Sequence, residues 1–481
     1  MAAKQVRHLI WFRHDLRVTD NKALSLACAD PQANVIALYT ATPEQWQQHD
    51  VSARQIAFIH QNLVELQHSL AQLGIPLICH TTNNFANAAK WVLDYAKEQQ
   101  ADALFFNRQY EWNEKKRDEW LIAHADTIQV HGVDDALLLP PGTVTNQKGE
   151  MYQVYTPFRR AFLTQLSVTD CRSLRAPEKR AEPLEIKTAL PLFPHEHQEI
   201  PTFPAGEQAG LKRLRLFCAQ KVTDYQQDRD FPAIDGTSQL SPYLAIGVLS
   251  PRQCFNRLQA ENPQVLDSPD SGAFCWLNEL IWREFYTHLL VAFPRLCRHQ
   301  PFIQWTQYIH WNDSPTDFAA WKTGQTGYPI VDAAMRQLNT TGWMHNRLRM
   351  IVASFLVKDL LIDWRKGEKY FMSQLIDGSL AANNGGWQWS ASTGVDASPW
   401  FRIFNPTTQG QKFDAQGTFI RHWLPELRTV PAKYIHTPHE WAEENNIHLD
   451  YPKPIVDHKQ ARLNTLEAFE AGKRDSLKYD K

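Results

Sequence analysis

The chain has 481 residues, too many for one ordinary hydrophobic core, so two domains are expected. Its 50 Lys and Arg nearly cancel 52 Asp and Glu, leaving a formal charge of −2. That balance excludes a nucleic-acid binder coated in positive charge, although it leaves room for a local basic patch.

From His8 to about Ile128, short apolar runs alternate with helical patterns. Strands are expected at His8–Phe12, Asn34–Tyr39, Ile75–Cys79, Asp102–Phe106 and Thr127–Val130. Between the second and third, Ile56, Ile59, Leu63, Leu66, Leu70 and Leu73 recur at helical spacing. Ser52 is placed to cap that helix and Gly74 to stop it. Strand–helix alternation at this pitch means a doubly wound parallel sheet. No Gly-x-Gly-x-x-Gly follows the first strand. Arg13-His14-Asp15-Leu16-Arg17 stands there instead, which argues against a dinucleotide gripped in the usual way. Asn107 to Glu114 falls at the carboxyl end of the fourth strand, the edge where such sheets bind ligands.

The pattern dissolves from about Gly132 to Gly206, apart from a short helix expected at Tyr155–Leu166. Six prolines between Pro177 and Pro204 forbid a long helix there, so this stretch reads as an interdomain connection. His195-Glu196-His197 lacks further spaced partners, and no metal is expected. From Leu211 onward the periodicity is helical. The domains read as 1–135 (α/β), 136–206 (linker) and 207–475 (all-helical). Seven scattered cysteines without a Cys-x-x-Cys point to a reducing cytosol. No apolar signal core opens the chain, and no apolar run reaches the roughly 18 residues of a membrane span.

Within the helical part, Gly236 to Pro242 offers small hydroxyl residues suited to phosphate oxygens or to an ordinary helix cap. A helix is expected at Cys275–Leu290, with Trp276, Glu279 and Arg283 on one face. Glu279 and Arg283 are also a plain i, i+4 pair. Asn346 to Trp364 reads as one nearly all-apolar buried helix of 19 positions, with Asn346, Arg347 and Arg349 in its first turn. Arg336, Arg347, Arg349, Lys358, Arg365, Lys366 and Lys369 outnumber Asp332, Asp359, Asp363 and Glu368 in this region. Buried polar groups at a helix start point to a ligand. The paired glycines of Asn383-Asn384-Gly385-Gly386-Trp387 would let a backbone approach something flat. A Trp-rich core with satisfied polar groups explains the same residues.

Three longer motifs are more specific: Trp11-Phe12-Arg13 with Asp15-Leu16-Arg17 and Asp20-Asn21, Trp276 to Tyr286, and Gly342 to Arg347 with Asn383 to Trp389. Together they resemble the DNA photolyase/cryptochrome family over residues 8 to about 470, most of all the bacterial cyclobutane pyrimidine dimer photolyases with a folate antenna. Trp343-Met344-His345-Asn346 differs from the paired-histidine pattern of six-four photolyases.

The resemblance implies a cytoplasmic, monomeric flavoprotein that binds DNA. It would act as a light-driven carbon–carbon lyase, by electron transfer from excited FADH−, with methenyltetrahydrofolate as antenna. It implies FAD contacts from Tyr225, Thr237, Ser238, Gln239, Leu240 and Ser241, from Trp276 and Arg283, and from Trp343, Asn346 and Arg349. Asp377, Ser379 and Asn383 complete that set, with Asn383 on flavin N5. Gln239 stands where the family usually has Arg or Lys, and Ser379 where it usually has Asp. The lesion is expected to meet Glu279, Trp282, Asn346, Met350 and Trp389, with Arg229 and Arg347 on phosphates. The antenna is expected at His49, Asn113, Glu114, Cys297 and Arg298, and Trp387, Trp364 and Trp311 are expected to carry electrons to the flavin. Two other readings use the same residues: a cryptochrome-type light receptor, and a helical nucleic-acid scaffold without cofactor.

Overall fold

Residues 6–187, 189–191, 193 and 202–479 of the computed structural model are described here. His195 and His197 therefore lie outside the described residues. The N-terminal part alternates as expected: β1 (Arg7–Phe12), α1 (Lys22–Ala27), β2 (Asn34–Ala41), α2 (Pro43–Gln48), α3 (Ala53–Gln72), β3 (Leu77–Thr81), α4 (Phe85–Glu98), β4 (Ala103–Asn107), α5 (Trp112–Ala123) and β5 (Gln129–Val133). The strands form one parallel sheet in the order β3-β2-β1-β4-β5. Leu9, Ile10, Trp11 and Phe12 of the central strand are wholly buried, as a parallel strand covered on both faces must be. Leu9 and Trp11 pack with Val92 and Leu93 of α4 and Leu121 of α5. Side-chain caps start the helices where the sequence places Ser or Asn. Ser52 accepts from Gln55 N at α3, and Asn84 from Asn87 N at α4.

The remaining elements are helical. They are α6 (Tyr155–Leu166), α7 (Glu207–Gln220), α8 (Tyr225–Asp228), α9 (Ser241–Ala245), α10 (Pro251–Glu261), α11 (Gly272–Ala292), α12 (Pro315–Thr323), α13 (Pro329–Thr341) and α14 (Asn346–Ser354). Then come α15 (Trp364–Gln374), α16 (Leu380–Ala391), α17 (Pro406–Phe413), α18 (Thr418–Trp423), α19 (Pro438–Glu444) and α20 (His458–Tyr479). The fold is thus α/β followed by all-α. The chain forms two compact units. The first runs to Thr223 and adds Ser238–Cys297 and Ile376–Ser379; the second holds Asp224–Thr237, Arg298–Leu375 and everything from Leu380. Helices α7, α9, α10 and α11 belong to the first unit, so compactness and element type divide the chain differently.

The single helix expected over Asn346–Trp364 is not present. After α14 the backbone makes a π turn at Phe355–Asp359, and Leu361 takes a left-handed conformation at φ +51°. Leu361 O accepts from Asn312 N at 2.7 Å, pulling the chain out of helix. Asp363 then caps a new helix by accepting from Arg365 N. Trp364 begins α15 rather than ending the earlier helix. Apolar periodicity continues through the break, so hydrophobicity alone could not mark it. A polar break residue, Asp363, was the available signal.

Candidate functional site

At the carboxyl edge of the sheet, the Arg13–Arg17 turn is filled by its own side chains. Arg13 lies 3.1 Å from Asp118, Asp15 accepts from Arg13 N at 2.6 Å, and Asn107 Nδ2 donates to Asp15 at 2.7 Å. Asp135 pairs with Arg17 and Arg252. Burial pushes its carboxyl up, but the two guanidiniums override that and hold it below the usual range. These charged residues knit the first unit together and leave no phosphate loop.

Beside this ion-paired network sits a second one. His49 Nε2 is 2.9 Å from Asn113 Nδ2 and 3.0 Å from Gln45 Nε2, and its Nδ1 is 3.7 Å from Glu114 Oε1. The first turn of α5 and the end of α2 bring them together. Glu114 is buried, and its Oε2 has no hydrogen-bond partner among the described residues. Burial, and then the carboxylate of Glu111, push it up to about 8, so it carries a proton at neutral pH. Cys297 is half-buried against the backbone of Trp112, and burial raises its thiol to about 11. Four of the five expected antenna residues therefore converge within the first unit. Arg298 is exposed and falls in the second.

Elsewhere in the first unit, Trp276 is buried on Phe217, 5.0 Å between ring centroids. Arg283 donates to Ala136 O at 2.9 Å. Trp282 is stacked flat on Tyr155 at 3.5 Å, which covers one face of its indole. Tyr155 in turn donates to Asn278 O at 3.1 Å, fixing the stack to α11. The Asp377-Gly378-Ser379 turn is pinned by Gln55 of α3, whose Nε2 donates to Gly378 O at 2.8 Å. Gln239 has φ +48° and accepts from Arg213 Nη1 at 3.0 Å, so a cation from α7 stands beside the position where the family has one. Neither Gln55 nor Arg213 was identified from sequence, because both lie on ordinary amphipathic helices outside the motifs they support.

In the second unit, Asn383 Nδ2 donates to Glu368 O at 2.9 Å. A carbonyl only accepts, so the amide oxygen of Asn383 is left free to accept from another group. Gly386, one turn on, shares that face, and a methyl added there would meet nothing within 4 Å. Glu368 itself is fully engaged, by Asn384 Nδ2 at 2.8 Å and His299 Nδ1 at 2.8 Å. At the start of α14 the sequence expectation needs correction. Asn346 is exposed, and Arg347 and Arg349 are half-buried, because this first turn lies at the surface. Asn346 Nδ2 lies 4.0 Å from Met350 Sδ. Arg349 Nε donates to Met344 O at 2.8 Å. His345 caps the helix with Nδ1, accepting from Arg347 N, and is buried with no partner for Nε2 among the described residues. Burial, opposed by Asp230 and reinforced by the nearby arginines, lowers His345 to about 4, so it is neutral.

Trp387 is buried with its indole on the backbone of Gly367: a Cβ there would come 2.2 Å from the ring. Gly367 is three residues past Trp364, on the same face of α15. The bridge from Asn312 to Ile362 sets Trp311 beside the start of that helix, half-buried on Phe469 at 6.1 Å. The three expected tryptophans thus line one region. A fourth, Trp321, meets Trp387 edge-on at 6.0 Å and was not singled out from sequence.

Comparison with known proteins agrees with this geometry. Residues 8–180 match the family model described as DNA photolyase, and residues 276–471 match the FAD binding domain of DNA photolyase. The chain is 54% identical to a deoxyribodipyrimidine photo-lyase of Salmonella typhimurium over 97% of its length and 99% of that protein's. It is 48% identical to one of Vibrio cholerae, over 97% of its length and 99% of that protein's. Among solved structures, a class III photolyase of Agrobacterium tumefaciens superposes with a TM-score of 0.86 at 36% identity, over 98% of this chain and 99% of that one. A cryptochrome of Synechocystis gives the same TM-score at 30% identity, over 97% of this chain and all of that one. By sequence and by fold, the chain belongs to the DNA photolyase family.

Proposed function

We propose that this chain repairs cyclobutane pyrimidine dimers in DNA with light, as a deoxyribodipyrimidine photo-lyase, using reduced FAD. Reduced FAD supplies, when bound, the single electron that opens the cyclobutane ring. The observation that carries the reading is the orientation of Asn383. Its amide oxygen, freed by the Nδ2 bond to Glu368 O, is the acceptor that the N5–H of a reduced flavin requires, and open space lies beside Gly386 on the same face. Arg213 beside Gln239 fits a ligand that carries phosphates. The remaining FAD contacts are proposed on the family's motifs: Tyr225, Thr237, Ser238, Leu240, Ser241, Trp276, Arg283, Trp343, Asn346, Arg349, Asp377 and Ser379.

The dimer must leave the duplex to be repaired, and its weakened pairing lowers that cost. Trp282 offers the face opposite Tyr155, and Trp389 offers another ring. Stacking on such platforms is worth about 1–3 kcal/mol per base. Arg229 and Arg347 hold phosphates, while Asn346 and Met350 line the lesion. Glu279, half-buried on α11, holds the dimer's carbonyl edge as negative charge develops, and in its protonated form it donates the hydrogen bond. Trp387, Trp364 and Trp311 relay electrons to restore the reduced cofactor. His49, Asn113, Glu114, Cys297 and Arg298 hold a methenyltetrahydrofolate antenna: a protonated buried acid with a spare oxygen suits the amide and amino edge of a pterin. The protein works as a monomer in the cytoplasm, with an antenna domain at 1–135, a linker at 136–206 and a catalytic domain at 207–475. Among the described residues, no helix is long and apolar enough to cross a membrane.

The test is Glu279→Ala with chemically reduced protein and ultraviolet-damaged oligothymidine. Repair per absorbed photon is expected to fall by about tenfold, the worth of one hydrogen bond of about 1.4 kcal/mol, with FAD content intact. An unchanged yield would remove Glu279 from the mechanism. A wild-type protein that binds FAD and responds to light but leaves dimers intact would be a receptor instead.

A further inference from the structure

Two arginines proposed for DNA phosphates already hold an anion. Arg347 directs both Nε and Nη2 at one oxygen of Asp230, at 3.2 and 2.8 Å. Arg229 Nε lies 3.9 Å from the same oxygen. The guanidinium of Arg347 is also laid over the ring of Phe413 at 4.5 Å, which fixes its plane. The Arg347 and Asp230 side chains are 18% and 31% exposed, so the pair stands at the surface where a phosphate would arrive. The arrangement uses the donors an arginine offers a phosphate, two arms of the guanidinium on one anion, here converging on a single oxygen. One oxygen takes both donors and the neighbouring arginine as well, and no other carboxylate within the second unit pairs with Arg347 among the described residues.

We propose that Asp230 is an internal substitute for a DNA phosphate. It holds Arg347 and Arg229 in phosphate-binding geometry while DNA is absent, and it yields them when the backbone arrives. The proposal rests on the reading that these arginines contact DNA. Its consequence is a brake on sequence-independent binding. Each of these phosphates must first displace an internal partner, so the electrostatic affinity common to damaged and undamaged DNA is reduced. The uncharged contacts to the extruded dimer are untouched. Such a brake suits a protein of net charge −2 that must search undamaged duplex without lingering on it. Asp230 is a positioning residue in this scheme, acting through Arg347 rather than on the lesion.

The test measures binding in the dark, by anisotropy of labelled duplexes with and without one thymine dimer, using the FAD-loaded full chain across a potassium chloride series. Asp230→Asn is expected to bind both duplexes about fivefold tighter at low salt, the size of one partly exposed ion pair. Its plot of log affinity against log salt is expected to steepen by up to about 0.9 for each further phosphate that the freed arginines neutralise. Arg347→Gln is expected to weaken binding and flatten that slope, and the tightening caused by Asp230→Asn is expected to shrink in the Arg347→Gln background. Asp230→Ala repeats the measurement if the Asn variant loses FAD. Wild-type affinity and slope in Asp230→Asn, with Arg347→Gln flattened as expected, would overturn the proposal alone. An Arg347→Gln variant with unchanged affinity and slope would overturn both the phosphate role of Arg347 and the proposal built on it.

Discussion

Glu114 and Glu368 are both buried carboxylates, only 7% and 1% exposed, yet their surroundings differ in kind. Glu368, on α15, has both oxygens engaged, and its backbone carbonyl orients Asn383 of α16. Glu114, at the carboxyl edge of the sheet, keeps one oxygen without a partner and is pushed up to about 8. Burying a polar group without a hydrogen bond costs free energy, so a fold tolerates it chiefly where a ligand completes the set. Glu368 therefore reads as a strut and Glu114 as a receiving position.

The corner around Glu368 offers the strongest test, through the tryptophan packed on it. Trp387→Phe keeps most of the ring volume and removes an oxidisable indole. If the corner is only a strut, the variant loses some stability and still photoreduces its flavin. We expect instead that light-driven reduction of oxidised FAD is eliminated, while chemically reduced protein repairs dimers at the wild-type rate. Transient absorption at the flavin and tryptophan-radical bands reads the difference. Trp321→Phe, altering the edge-on neighbour, is expected to slow photoreduction less.

Glu368→Ala tests the strut itself. It strands the Asn384 amide in the interior and leaves His299 without its partner, and thermal unfolding should show a loss of about 2–3 kcal/mol. His299 is half exposed and re-solvates, which keeps the figure below that of a fully buried pair. A loss under ~0.5 kcal/mol would equate the two carboxylates and end the contrast.

Glu114→Gln tests the receiving position, with a smaller effect carried by pH. Below the usual 4.5 the acid is protonated in folded and unfolded chains alike. As pH rises from there, the unfolded chain releases the proton and the folded chain keeps it, so stability falls until about pH 8. The ligand-free wild type should lose stability across that window relative to Glu114→Gln. The same substitution should also weaken the near-ultraviolet folate band without touching flavin content. Loss of flavin instead would show the two sites to be exchanged.

Much of the fold was legible locally. Strand and helix periods located the five strands of the sheet, and Ser52 and Gly74 marked the two ends of α3. The Asn346–Trp364 helix was misread because its apolar period runs unbroken through the π turn and Leu361. The break depends on Asn312, some 50 residues away, capturing Leu361 O. The expected antenna residues came from family motifs, and the structure brings four of them together. Gln55, Arg213, Asp230 and Trp321 were not foreseen, since each takes its role only through a partner distant in sequence.

By itself, the sequence determined the element types, their order, the caps and the family to which the motifs belong, because periodicity and capping are properties of neighbouring residues. Only the tertiary structure decided which polar groups are satisfied: that Glu368 is closed by residues 69 and 16 positions away, that Arg347 is held by an aspartate 117 positions away, and that Glu114 retains an unpartnered oxygen. The partner of a buried or half-buried charge is set by which surfaces pack together, and no local pattern records that choice.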